Sequence, residues 1–209
     1  MVASSKCISF FSRRGFLHYL DNSIQGRLLL FWKNHISLSI LDSFDQGILS
    51  HLDDGAARIC IGFIYGRNDK LLRKHLWRKV IAWSEWCTLG CLALMGDFNE
   101  VLDCRDRSST SSIPNSALDF KSCINNAALQ ELHSLGPHFT WTNKNTQGNL
   151  VACKLDRAIV NNTWLDFLNQ SYVLIDMPDI SDHCYLILHL ACSLKTGPKP
   201  FKFFNAWTT

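Results

Sequence analysis

The sequence predicts an α/β fold with mixed sheets. Apolar runs of strand length recur along the chain, a segment with helical period separates two of them, and several more strand-like runs follow a second helical segment. At 209 residues the chain fits one medium domain with a substantial core. A hydrophobic content of 47% against 19% charged residues excludes a disordered chain.

Taken in order, residues 1–24 form a segment of unassigned structure, and a domain runs from 25 to 192. Residues 27–42, "RLLLFWKNHISLSILD", begin with an apolar run and then alternate. Ile36, Leu38 and Ile40 face one way, and Ser37, Ser39 and Leu41 the other, as in a half-buried strand. "ARICIGFIYG" (57–66) is rich in β-branched and aromatic residues and predicts a central strand ending at Tyr65-Gly66. In 68–86, Leu72, Leu76 and Val80 recur four apart beside Trp77 and Ile81. Arg73, Lys74, Arg78 and Lys79 fall on the other side, which predicts an amphipathic helix. "CLALMG" (91–96) is the next buried strand, followed by a Ser-rich loop over 103–116. A second helix is expected over 117–132, with Phe120, Cys123, Ile124, Ala127 and Ala128 on one face. "HFTWTN", "VACKLDRAIVN" and "YLILHLA" then read as strands, and 193–209, with two prolines and no period, as a linker.

A net charge of +3 permits nucleic-acid binding without demanding it. The nine cysteines are scattered singly, with no CxxC pair, and several sit in apolar runs. They read as buried free thiols, which places the chain in a reducing compartment, nuclear or cytoplasmic and not secreted. No stretch approaches the roughly 20 apolar residues that span a bilayer. The opening residues lack the continuous apolar core of a secretory signal.

Polar residues gather at or beside the strands in four places. Tyr65 and Asn68 follow "CIGFI", Asp97 and Asn99 follow "LALM", Asp156 lies within "KLDRAIV", and Ser181-Asp182-His183 precedes "CYLILHL". Sites in α/β proteins assemble where strand ends converge. Phosphodiester hydrolysis needs an oriented water, positive charge on the phosphate and a donor for the leaving oxygen. A carboxylate such as Asp97 accepts a proton from water, an amide such as Asn99 holds that water or a phosphate oxygen, and His183 stabilises phosphoryl oxygens. Each element also has an ordinary structural use. An Asp-x-Asn makes a turn, a Ser-Asp-His makes a cap or loop, Asp156 pairs with Arg157, and Tyr65 covers the core.

Their order is more specific than any one of them. "YGRN", "MGDFNE", "FTWTN", "KLDRAIVN…W" and "SDHCYLIL" resemble the endonuclease/exonuclease/phosphatase superfamily over about residues 25–190, most closely the endonuclease domain of plant LINE-type (non-LTR) retrotransposons. "GPKPFKFFNAW" is similar to the segment that leads toward a reverse transcriptase in such elements. The resemblance implies a DNase I-like four-layered sandwich of two mixed β-sheets flanked by helices, with DNA as substrate and Mg²⁺ or Mn²⁺ as cofactor. It assigns Asp97 as general base, Asn99 as its partner in transition-state stabilisation, and Tyr65 and Asn68 as phosphate contacts. Asp156 becomes the acid that orients the histidine, Asp182 the acid near the metal, and His183 the group on the scissile phosphate.

Two departures stand out. Lys154 replaces a common arginine, keeping the charge and losing the planar fork. Before Tyr65 the acids are Asp21, Asp42, Asp45, Asp53 and Asp54, with no glutamate, whereas the superfamily's metal-binding glutamate precedes that tyrosine. The resemblance therefore implies a domain that lacks its first strands and holds metal weakly. The functions to be weighed are a DNA-nicking phosphodiesterase, an inactive nucleic-acid-binding remnant, and a phosphomonoesterase of the same superfamily.

Overall fold

The computed structural model describes residues 5–22, 27–53, 58–109, 114–145, 147–177 and 181–191. The expected linker over 193–209 lies outside them. The elements in order are α1 (Ser5–Ser12), β1 (His18–Asp21), β2 (Leu29–Trp32), β3 (Ser37–Phe44), β4 (Gly47–Asp53), β5 (Arg58–Tyr65), α2 (Lys70–Trp86) and β6 (Cys91–Asp97). There follow α3 (Asn115–Asn126), β7 (Leu129–Glu131), β8 (Ser134–Leu135), β9 (Trp141–Thr142), β10 (Ala152–Cys153), β11 (Asp156–Asn161), α4 (Asn162–Phe167), β12 (Tyr172–Asp176) and β13 (Tyr185–His189).

A six-stranded mixed sheet, in the order β3-β4-β5-β6-β11-β7, forms the body. Its single parallel pair, β5 with β6, is joined by α2, which packs back on the sheet together with α3. That face buries Leu76, Trp77, Val80, Trp83, Leu92, Leu94, Phe98 and Phe120. The other face packs on a three-stranded sheet, β13-β12-β8, through Ile59, Ala93, Val160, Trp164, Val173 and Ile175. Helices, large sheet and small sheet thus stack as successive layers, as expected of a DNase I-like fold.

Several expectations change in detail. The 27–42 run divides at a turn over Lys33–Ile36: β2 pairs with β1 in a hairpin, and β3 joins the large sheet. β3 runs past Asp42 through Phe44 into the Asp45-Gln46 turn, and the chain returns as β4. The second helix stops at Asn126. Ala128 takes a positive φ of 50°, and the chain then pairs as β7 with β11, so sheet pairing overrides the helical preference of the two alanines. Arg73 lies at 5% exposure on the core side of α2, whereas Leu72 is 54% exposed. Burial of a guanidinium requires partners, and Glu100 supplies one at 2.6 Å. α2 starts at Lys70 because the Asp69 carboxylate accepts the N–H groups of Leu71 and Leu72.

Cys104, Cys123, Cys153 and Cys184 are free thiols, in keeping with the thiol reading. No helix among those residues is long and apolar enough to cross a membrane.

Candidate active site

Sheet register builds the site. Tyr65 of β5 is the Cα partner of Asp97 in β6, and Asp97 is the partner of Asp156 in β11, so three strands place three polar side chains in one row. Gly96 makes the row possible. Its φ is +133°, and a Cβ there would lie 2.2 Å from the carbonyl oxygen of Ile64. After the strand, Asn99 adopts a φ of 52°, a conformation that asparagine tolerates better than most residues. This turns it back on Asp97. Asn99 N–H donates to Asp97 Oδ1 at 2.8 Å, and Asn99 Nδ2 donates to Asp97 Oδ2 at 3.0 Å and to the Gly66 carbonyl at 2.9 Å. Both amide protons are thereby engaged, so Asn99 fixes the Asp97 carboxylate instead of presenting N–H groups to the cleft.

His183 completes the centre from the loop before β13. Its Nδ1 lies 2.9 Å from Asp156 Oδ2, and its Nε2 lies 3.9 Å from Asp97 Oδ2. The hydrogen bond to Asp156, reinforced by the surrounding carboxylates, raises the His183 pKa and favours the imidazolium. Asp97, 7% exposed, has its pKa pushed up to about 6, first by burial and then by the Asp156 charge beside it. Two acids in one row therefore differ from an ordinary surface pair: ionisation of Asp97 is costly, and the basicity of its carboxylate is correspondingly high.

The "FTWTN" segment serves as a brace. Thr140 Oγ1 accepts the N–H groups of Leu155 and Asp156 at 3.0 and 2.9 Å, and the Thr140 carbonyl accepts the Cys184 N–H at 2.7 Å. One threonine thus ties the strand of Asp156 to the loop of His183. Trp141 Nε1 donates to Asp182 Oδ2 at 3.0 Å, which lowers the Asp182 pKa.

Asp97, Asn99, Asp182 and His183 line a cleft of about 850 Å³ together with Tyr65, Asn68, Trp141, Asn143 and Arg107. Ligand-capable atoms of Asp97, Asp156 and His183 lie within 4.8 Å of one another, and Asp182 is not part of that cluster. Each Asp97 oxygen accepts one N–H from Asn99, leaving lone-pair capacity on both. With His183 favoured as the imidazolium, the two hard carboxylates are the donors that fit a divalent cation, which would complete its shell with water or phosphate. Glu100 also lines the cleft, but its Oε2 pairs with Arg73 and its Oε1 accepts the Val101 N–H, so it is committed to the structure.

Six of the seven expected site residues line this cleft, and the seventh, Asp156, reaches it through its hydrogen bond to His183 Nδ1. The residue that sequence reasoning misplaced is Arg73. Its Nη1 donates to the carbonyls of Arg67 and Asn68 at 2.7 and 2.8 Å, and its Nη2 reaches Glu100, which binds the Tyr65–Asn68 loop to the Asp97–Glu100 loop. The signal existed: position 73 precedes Leu76 and Trp77 by three and four, which puts it on the apolar stripe.

A mixed sheet with an Asp-His-Asp cluster at its strand ends is the arrangement of a DNase I-like domain. The chain belongs to the endonuclease/exonuclease/phosphatase family, whose model matches residues 4–183. Among solved structures, it is similar to the endonuclease domain of TRAS1, a telomere-specific non-LTR retrotransposon. That match has 14% identity and a TM-score of 0.63, and covers 82% of this chain and 80% of the other. It is also similar to TDP2 from Caenorhabditis elegans, with 11% identity, a TM-score of 0.56, and coverage of 88% of this chain and 61% of the other. No curated protein sequence matches it.

Proposed function

We propose that this chain is a phosphodiesterase that nicks DNA by attack of an activated water, as its likeness to a retrotransposon endonuclease domain favours. The observation that carries this reading is the convergence of Asp97, Asp156 and His183 from three distant parts of the chain. Asp97 takes the proton of the attacking water, with a pKa of about 6 that suits a base working near neutrality. Asn99 holds that carboxylate in register. His183, whose imidazolium form the Asp156 hydrogen bond favours, donates from Nε2 to a phosphoryl oxygen. Tyr65 and Asn68 border the cleft beside them and contact the phosphate.

Asp97 and Asp156 are the carboxylates that would hold Mg²⁺ or Mn²⁺, while Asp182 lies outside their cluster. Such a cation would neutralise phosphate charge and acidify water. With Glu100 committed to Arg73, only these two carboxylates would hold the ion, and its affinity would be correspondingly low. The same observation favours a second reading, a nucleic-acid-binding domain without turnover. Conversion of supercoiled plasmid to nicked circle separates the two. The nuclease reading expects nicking with millimolar Mg²⁺ or Mn²⁺ and none in EDTA; nicking no faster than a protein-free control overturns it.

A further inference from the structure

Tyr65 and Asn68 border two recesses. One is the cleft of Asp97 and His183; the other is a side cavity of about 230 Å³ lined by Arg27, Tyr65, Arg67, Asn68, Asp69 and Leu72. The acids near the side cavity are engaged. Asp69 Oδ1 accepts the N–H groups of Leu71 and Leu72 at 2.7 and 3.3 Å, and Asp45 pairs with Arg67 Nε at 3.1 Å. Arg27 makes no ion pair with a carboxylate among the described residues. Its Nη1 donates to Tyr65 Oη at 3.2 Å, and its guanidinium carbon lies 5.8 Å from the Tyr65 ring centroid.

This contact has a chemical consequence. A phenolic oxygen that accepts from a cation keeps its own O–H to donate, and the adjacent positive charge strengthens that donation. A guanidinium carries five N–H donors in a planar fork, and the Tyr65 bond uses one. The cation's remaining donors are therefore available on one side of the partition, while the Tyr65 hydroxyl serves the cleft of Asp97 and His183 on the other.

We propose that Arg27, held in place by its bond to Tyr65 Oη, forms a second phosphate subsite, which takes the backbone phosphate next to the scissile one as the DNA strand crosses the Tyr65–Asn68 partition. This rests on the reading of the cleft as a DNA site. The alternative is a surface cation–π contact that adds a little stability and touches no ligand.

The test is binding of a short DNA duplex in EDTA, where nothing is cleaved, over a series of salt concentrations. Each neutralised phosphate contributes about 0.9 to the slope of log affinity against log salt. Arg27→Ala is expected to lower that slope by about one and to weaken binding roughly tenfold at low salt. Arg27→Lys keeps the slope and loses part of the affinity, because a point charge replaces the fork. Arg27 is exposed, so thermal melts of both variants are expected to stay near wild type. Wild-type slope and affinity in Arg27→Ala would overturn the subsite alone. A wild-type protein that binds no DNA would overturn the DNA reading and the subsite with it.

Discussion

If Asp97 is held as a costly carboxylate, its neutral isostere should become relatively more stable as pH rises. Its pKa moves from 3.8 unfolded to about 6 in the folded chain. The folded state thus binds the proton more tightly, so the stability from this group is full below 3.8 and is lost as pH climbs through 6. Two units at ~1.36 kcal/mol each give about 3 kcal/mol, of which about 2.5 kcal/mol falls between roughly pH 4 and pH 7.5. Asp97→Asn has no such term. The difference in unfolding free energy, variant minus wild type, should therefore rise by about 2–2.5 kcal/mol across that range. Its starting value is offset by about 1 kcal/mol for the Asn99 amide bond that the variant mispairs. Most other titrating groups cancel in the difference; His183 cancels incompletely because it loses a neighbouring charge, which trims the expected rise. Urea melts in EDTA measure it, and with a slope of about 2 kcal/mol/M the midpoint gap should widen by about 1 M. A gap that is constant or narrows with pH refutes the claim that burial and Asp156 strain this carboxylate.

Three further outcomes follow from the same geometry. Arg73→Met leaves Glu100 charged and buried, and should cost about 3–5 kcal/mol in a thermal or urea melt, most of it recovered in Arg73→Met/Glu100→Leu. Gly96→Ala must place a Cβ against the Ile64 carbonyl at a positive φ, and should lose about 3 kcal/mol or more, seen as insoluble or poorly folded protein. Asp156→Asn removes the carboxylate from His183 Nδ1, so the imidazole should titrate at lower pH than in wild type when followed by NMR; an unchanged midpoint would contradict the pairing.

The long periodic elements were legible in the sequence, and the extent of the short ones was not. β5, β6, α2 and β13 each carry enough residues to show a period, whereas the strands expected in "HFTWTN" and at the start of "VACKLDRAIVN" shrink to two residues each as β9 and β10, and β8 exists only because β12 pairs with it. α4 and β12 lie in a stretch where Trp164 and Val173 are buried by tertiary packing, with no local period to announce it. The site was legible as an ordered set of motifs. Its geometry depends on register: nothing in the letters near Tyr65 says that it faces Asp97, or that Asp97 faces Asp156, since those pairings join distant strands. Arg73 was misplaced because charge outweighed position in the helical pattern, although Glu100 was waiting in the motif after Asn99.

The central claim is that Asp97 and His183 perform phosphodiester chemistry together in this cleft. Its most direct measurement is the initial rate of plasmid nicking in Mg²⁺ or Mn²⁺ by wild type, Asp97→Ala and His183→Ala at equal concentrations of folded protein. General acid–base groups contribute about 10²- to 10⁴-fold, so both variants should fall at least about a hundredfold below wild type. Equal rates in all three would contradict the account.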